Sequence, residues 1–204
     1  MNLPRISLID GNKKMEPFKF NNKLSGNRVY LEKHKLEDAV YMFECVEKER
    51  ERLSKFLPWP QDIQSVEDEE KFIKDSIELW EKKLGFGYSI FLKKSGTYMG
   101  NIGVFNLSWK YNCCEIGYWL SERYEGYGYM SEATEILENY LFKEGFNRIE
   151  IRCDVKNTRS SAIPERLLYK LEGILRENLK YYDSYIDTKV YSKLRSEWVK
   201  NNLV

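Results

Sequence analysis

The chain has 204 residues, of which 42% are hydrophobic and 32% are charged, a composition typical of a globular protein with a sizeable core. Its 33 lysines and arginines nearly balance its 32 aspartates and glutamates, which leaves a net charge of +1. This balance argues against a broad electrostatic surface for nucleic acid or membrane. No apolar run approaches the ~20 residues that span a bilayer.

The cysteines and the single histidine predict no metal site. The four cysteines are scattered without zinc spacing, and His34 stands alone in a charged segment. Free thiols and the lack of a secretory signal are typical of a reducing compartment, so we expect a cytoplasmic protein.

Hydrophobic periodicity predicts one α+β domain over residues 28–204, preceded by an N-terminal arm over residues 1–27 with a short strand at 18–20. Ser65 and Asp68 resemble a capping box at the start of the second helix. The elements predicted in chain order are a strand at 29–31, helices over 36–54 and 65–83, strands at 87–94, 98–105 and 113–120, a helix over 130–144, a strand at 148–153, a helix over 157–170 interrupted by Pro164, and strands at 173–179 and 189–195.

The most informative stretch runs from Glu115 to Ala133, where a strand ends, a glycine-bearing loop turns and a helix begins. The first N–H groups of a helix have no intrahelical partners, and with the helix dipole they form an anion site. Gly126 and Gly128 let the backbone approach a phosphate closely. The stretch therefore predicts a bound phosphate or pyrophosphate, and a tight turn without a ligand remains the alternative.

Two other phosphate-binding patterns fit this stretch poorly. A P-loop needs Gly-Lys-Ser/Thr, which is absent. A dinucleotide fingerprint needs a third glycine where Ser131 stands, and it follows the first strand of a parallel sheet, whereas an antiparallel meander precedes this loop.

The strand, loop and helix resemble the acetyl-CoA signature of the GNAT superfamily of N-acetyltransferases. The pattern Gln/Arg-x-x-Gly-x-Gly/Ala takes the form Glu125-Gly126-Tyr127-Gly128-Tyr129-Met130 here. More specifically, the chain resembles the ribosomal-protein N-terminal acetyltransferases of the RimJ/RimL type, from about residue 28 to residue 198. The other matching segments are 57–60, 65–68, 115–120, 148–154, 157 with 160, and 171–173.

The resemblance implies a GNAT-like mixed, splayed sheet with helices on both faces and acetyl-CoA as co-substrate. It places the coenzyme pyrophosphate on the loop 125–130. It also implies that the backbone of Tyr118, Trp119 and Leu120 pairs with the pantetheine arm and that Asn157 contacts this arm. Ser160 would assist the leaving thiolate. By chemistry alone, a helix N-cap is the stronger explanation of Asn157.

Glu115 is the candidate general base, because an amine must lose a proton before it attacks a thioester. A carboxylate in an apolar strand is costly to bury unless it is paired or functional. A salt bridge on the sheet face is therefore the competing explanation.

Three positions depart from the family pattern. Glu125 replaces a glutamine or arginine, and an acid beside a pyrophosphate is unfavourable unless it faces away. Met130 replaces a small residue, and Leu168 stands where a glycine is usual.

We therefore expect an N-acetyltransferase that acts by direct attack in a ternary complex, with the N-terminal amine of a ribosomal protein as acceptor. One alternative is acetylation of a small amine such as a polyamine or antibiotic. Another is an inactive acyl-CoA-binding protein. A homodimer is possible, and neither nucleic acid nor membrane is expected as a partner.

Overall fold

The computed structural model describes residues 20–181 and 184–202, which contain one eight-stranded sheet and five α-helices. The strands are β1 (Lys23–Ser25), β2 (Val29–Lys33), β3 (Phe86–Leu92), β4 (Thr97–Ser108), β5 (Cys113–Leu120), β6 (Arg148–Asp154), β7 (Lys170–Tyr181) and β8 (Ser184–Leu194). The helices are α1 (Ala39–Leu53), α2 (Val66–Lys82), α3 (Tyr129–Lys143), α4 (Thr158–Arg166) and α5 (Arg195–Asn202), with 3₁₀ turns at Leu36–Asp38 and Glu122–Tyr124.

The sheet is mixed, with the strand order β1-β2-β3-β4-β5-β6-β8-β7. β5 and β6 are parallel, and the other neighbouring strands are antiparallel. Buried side chains of α1 and α2 pack on one face against Phe91 and Tyr98. Leu137 and Leu141 of α3 pack on the other face. This arrangement confirms the predicted α+β class with helices on both faces.

The sheet splays between β5 and β6. Their pairing covers only Cys113–Glu115 against Arg148–Glu150. Beyond this point β5 continues against β4 as far as Leu120, and β6 continues against β8 as far as Asp154. A gap therefore opens between the two central strands and ends beside the loop that starts α3.

Local interactions explain the start of α2 and the end of α4. The Ser65 N–H donates to Asp68 Oδ2 at 3.0 Å, which confirms the capping box. Leu168 takes the left-handed φ of 61° behind α4, and the Tyr169 N–H closes the turn on the Pro164 carbonyl at 2.9 Å. None of the helices in the described part of the chain combines the length and apolarity that a membrane crossing requires.

Several predicted boundaries were wrong. The helix predicted over 157–170 ends at Arg166, because Leu168 turns the chain into β7. Pro164 lies inside that helix without interrupting it. The strand predicted at 18–20 falls largely outside the described residues, and Phe20 is not in a strand. β1 was not predicted, and it lies within the segment expected to form an arm. The division at residue 27 stays a prediction.

Candidate active site

The glycine loop lies at the mouth of the gap between β5 and β6 and leads into α3. Gly126 and Gly128 have φ angles of 82° and 78°, which favour glycine. A Cβ at Gly126 would meet nothing within 4 Å, so there is open space above the loop. Because α3 begins at Tyr129, its first N–H groups point toward this space. The loop therefore fits an anionic group such as the coenzyme pyrophosphate.

The other loop residues divide between surface and core. Tyr127 is exposed, and its ring lies 5.8 Å from that of Tyr129. Met130 is buried in the core on the face of α3 that meets the sheet. A larger side chain than the small residue usual in the family is therefore accommodated by packing.

The side chain of Glu125 lies between two arginines. Arg52 of α1 donates to Glu125 Oε1 at 2.8 Å, and Arg159 of α4 donates to Glu125 Oε2. Arg52 also donates to the Leu120 carbonyl at 2.9 Å. The unfavourable acid of the signature is therefore neutralised by two cations, and α1, the end of β5 and α4 meet at this carboxylate.

The opposite side of the loop is held by Arg28, which precedes β2. Its Nε donates to Glu132 Oε2 at 2.7 Å, and its Nη1 donates to the Tyr127 carbonyl at 2.9 Å. Burial acts to raise the pKa of Glu132, but hydrogen bonds from the backbone N–H and the side chain of Arg28 outweigh it and lower this pKa. Arg28 thus joins the loop to the far edge of the sheet.

The end of β5 presents different groups to the two faces of the sheet. The Trp119 ring lies 5.8 Å from Trp59, which belongs to the segment between α1 and α2. The Tyr118 hydroxyl donates to the Ser160 carbonyl at 3.2 Å on the face of α3 and α4. Burial raises the pKa of Tyr118, so its hydroxyl stays a donor. Leu120 is buried.

Tyr118 and Pro164 are linked through this carbonyl. A proline at position 164 has no N–H to donate to the carbonyl four residues earlier, which is that of Ser160. The Tyr118 hydroxyl supplies the missing bond. This contact joins the first turn of α4 to β5 on the other side of the gap.

Asn157 and Ser160 lie at the start of α4. Asn157 Oδ1 accepts a hydrogen bond from the Ser160 N–H at 3.0 Å, so Asn157 is the N-cap of the helix. Ser160 is partly buried in the first turn. The capping explanation for Asn157 is thereby confirmed, and the amide N–H₂ group of the same side chain is still a possible ligand contact.

Glu115 lies at the last paired position before the splay, opposite Glu150. Asn106 donates to Glu115 Oε2 at 2.9 Å, and Arg152 Nε lies 3.5 Å from the same oxygen. Arg152 and Arg148 also pair with Glu150. Glu115 therefore lies at the end of a row of ion pairs on one face of the sheet. This salt bridge is the structural role that competes with a role as general base.

The sequence patterns missed Arg28, Arg52 and Arg159 as parts of the site. Arg52 and Glu125 are separated by 73 positions, so no local pattern joins them. Arg159 directly precedes Ser160 in the sequence, and this adjacency to a predicted site residue was the only sequence signal for Arg159.

A splayed mixed sheet whose central gap ends at a glycine loop and a helix N-terminus defines the class of coenzyme A-dependent acyltransferases. Comparison with known proteins leads to the same class. The family model for the acetyltransferase (GNAT) domain matches residues 28–169.

Relatives support this match over most of the chain. The ribosomal-protein-serine acetyltransferase of Escherichia coli (strain K12) is 29% identical over 154 residues, which cover 75% of this chain and 85% of that protein. The uncharacterized N-acetyltransferase p20 of Bacillus licheniformis is 30% identical over 176 residues, covering 84% and 95%. The structure of RimL, a ribosomal L7/L12 alpha-N-protein acetyltransferase in complex with coenzyme A, has a TM-score of 0.80 at 25% identity, covering 84% and 97%.

The chain belongs to the GNAT acetyltransferase family and is an acetyl-CoA-dependent N-acyltransferase.

Proposed function

We propose that the protein transfers acetyl from acetyl-CoA to the N-terminal amino group of a protein, with ribosomal proteins as the favoured class. The relative from Escherichia coli is named a ribosomal-protein-serine acetyltransferase, and it matches three quarters of this chain. The observation that carries the proposal is the gap between β5 and β6, which ends at the glycine loop and has Glu115 at its base and Ser160 beside it.

In the proposed reaction, the acceptor amine attacks the thioester carbonyl directly. A C–N bond forms, the C–S bond breaks, the amine nitrogen loses a proton and the leaving thiolate gains one. The glycine loop binds the pyrophosphate, and the backbone of residues 118–120 together with Asn157 aligns the pantetheine arm. Acetyl-CoA supplies the activated acyl group.

Glu115 is proposed to take the proton from the amine, directly or through water. Its contacts with Asn106 and Arg152 orient the carboxylate. Ser160 is proposed to donate a hydrogen bond to the leaving thiolate. The Tyr118 hydroxyl bonds to the Ser160 carbonyl and so holds the first turn of α4 beside β5, where the pantetheine arm is proposed to lie.

The acceptor class is tested by incubating the protein with acetyl-CoA and three amine pools, followed by mass detection of acetylated products. The pools are peptides that reproduce ribosomal protein N-termini, polyamines, and aminoglycoside antibiotics. Acetylation of peptide α-amines at a kcat/KM at least tenfold above the other pools is expected. Preference for a small amine, or turnover of no pool, would refute the acceptor assignment.

The role of Glu115 is tested with Glu115→Gln and the matched control Glu150→Gln. Both variants break an ion pair with Arg152 in the same charged row, but only Glu115 is placed as the base. Glu115→Gln is expected to lower kcat/KM by about 100-fold and to flatten the acidic limb of the pH–rate profile. Equal effects of the two substitutions would return Glu115 to a structural role.

The cytoplasmic location and a homodimer remain predictions from the sequence.

A further inference from the structure

The cluster at Glu125 contains two guanidinium groups and two carboxylates, and among these four groups Arg159 alone is largely exposed. The carboxylate of Glu125 forms ion pairs with both Arg52 and Arg159, but the two cations differ in their solvent exposure and in their other contacts. The side chain of Arg52 is 25% exposed and also binds Glu49 and the Leu120 carbonyl. The side chain of Arg159 is 73% exposed. Arg52 is therefore a fixed structural cation, whereas Arg159 can exchange its partner.

Glu49 completes the fixed part of this cluster. Its Oε1 accepts a hydrogen bond from Ser121 Oγ at 2.6 Å, and its carboxylate also accepts the Glu122 N–H. These bonds anchor the segment before the glycine loop to α1. The loop therefore keeps its position when the contact between Arg159 and Glu125 changes.

Arg159 lies close to the expected position of the pyrophosphate. Its partner Glu125 directly precedes Gly126, and a Cβ at Gly126 would meet only open space. A guanidinium matches the geometry of phosphate oxygens and forms charge-assisted hydrogen bonds with them. The carboxylate of Glu125 is an acceptor and cannot bind a phosphate itself, so a side-chain donor at this point of the loop has to come from another residue.

We propose that Arg159 supplies this donor from α4: it binds the pyrophosphate of coenzyme A, while Glu125 holds its guanidinium beside the loop when no coenzyme is bound. This inference rests on the proposed placement of the coenzyme at the glycine loop. It assigns the acid of the signature a tethering role and moves the cationic contact to another helix.

Calorimetric titration with coenzyme A tests the proposal on four variants. Arg159→Gln is expected to weaken binding by about 10- to 100-fold, the range of a hydrogen bond between charged groups. Glu125→Gln is expected to leave affinity unchanged or to tighten it by up to tenfold, because Arg159 loses its competitor. Lys143→Gln removes one positive charge about 20 Å away at the other end of α3 and should have no effect. Gly128→Asp tests the loop itself.

The outcomes separate the two proposals. If Gly128→Asp leaves the affinity unchanged, the coenzyme placement fails. If Gly128→Asp weakens binding but Arg159→Gln does not, only the role of Arg159 fails. If Glu125→Gln weakens binding as much as Arg159→Gln, the ion pair acts by holding α4 against the loop, and the phosphate contact is refuted.

Two truncated ligands locate the contact. Loss of affinity on Arg159→Gln should be equal for coenzyme A and 3′-dephospho-coenzyme A, and kcat/KM with S-acetylpantetheine, which lacks the pyrophosphate, should change less than twofold. A loss confined to coenzyme A would place the contact at the 3′-phosphate and overturn the pyrophosphate assignment. A comparable loss with S-acetylpantetheine would show that Arg159 acts on the fold of the site.

Discussion

A buried ion pair joins three elements behind the site, and its removal gives the sharpest test of the packing. Lys193 of β8 lies 2.6 Å from Glu138 of α3, with side chains 6% and 3% exposed. Lys193 also donates to the Leu167 carbonyl at 2.9 Å. Burial raises the pKa of Glu138, and the neighbouring Lys193 opposes that shift.

Replacing Lys193 with Met removes the cation but keeps most of the apolar stem. Glu138 is then left buried without its counter-charge, and breaking such a pair costs about 3–5 kcal/mol. We expect the free energy of unfolding at pH 7 to fall by about this amount. The double variant Lys193→Met/Glu138→Leu should recover most of the loss, because it leaves no unpaired charge, although the Leu167 carbonyl still lacks its donor at a cost of about 1 kcal/mol.

Urea unfolding followed by tryptophan fluorescence measures these differences. Lys48→Met, which breaks the exposed pair of Lys48 with Glu44, is the control and should cost less than about 0.5 kcal/mol. Burial already raises the pKa of Glu138 in the folded state, and without Lys193 this pKa rises further. The deficit should therefore be smallest near pH 4 and grow as pH rises. A loss below 1 kcal/mol at pH 7, or a double variant as unstable as the single one, would contradict the reasoning.

Two further predictions concern residues outside the reaction. Burial lowers the pKa of His34 to about 3, so between about pH 6.5 and 3 the unfolded chain binds a proton that the folded chain does not. As the pH is lowered through this window, the free energy of unfolding should thus fall by about 1.4 kcal/mol per pH unit. The variant His34→Gln should remove this pH dependence in urea unfolding. An unchanged pH dependence would show that other groups cause it. Leu168→Gly should raise stability by about 1 kcal/mol, because Leu168 is exposed and has a φ of 61°, a conformation that glycine adopts without strain. A lower thermal midpoint for that variant would mean that the Leu168 side chain stabilises the fold more than its backbone strain costs.

Sequence patterns predicted the elements that depend on local chemistry. The capping box at Ser65 and Asp68 involves residues three positions apart, so it is visible in the sequence and present in the structure. The glycine loop and the helix after it follow from Gly126 and Gly128 for the same reason. The end of α4 was missed because Leu168 adopts a conformation that its residue type disfavours.

The sequence by itself determined the fold class, the family and the position of the loop, because periodicity, turn residues and short motifs act over a few neighbouring positions. The tertiary structure decided where the strands β5 and β6 part and which charges meet. Arg52, Glu125 and Arg159 come from three separate elements, and only packing brings them together. Likewise, the partners of Glu115 lie on β4 and β6, so its competing roles could be defined only after the sheet was assembled.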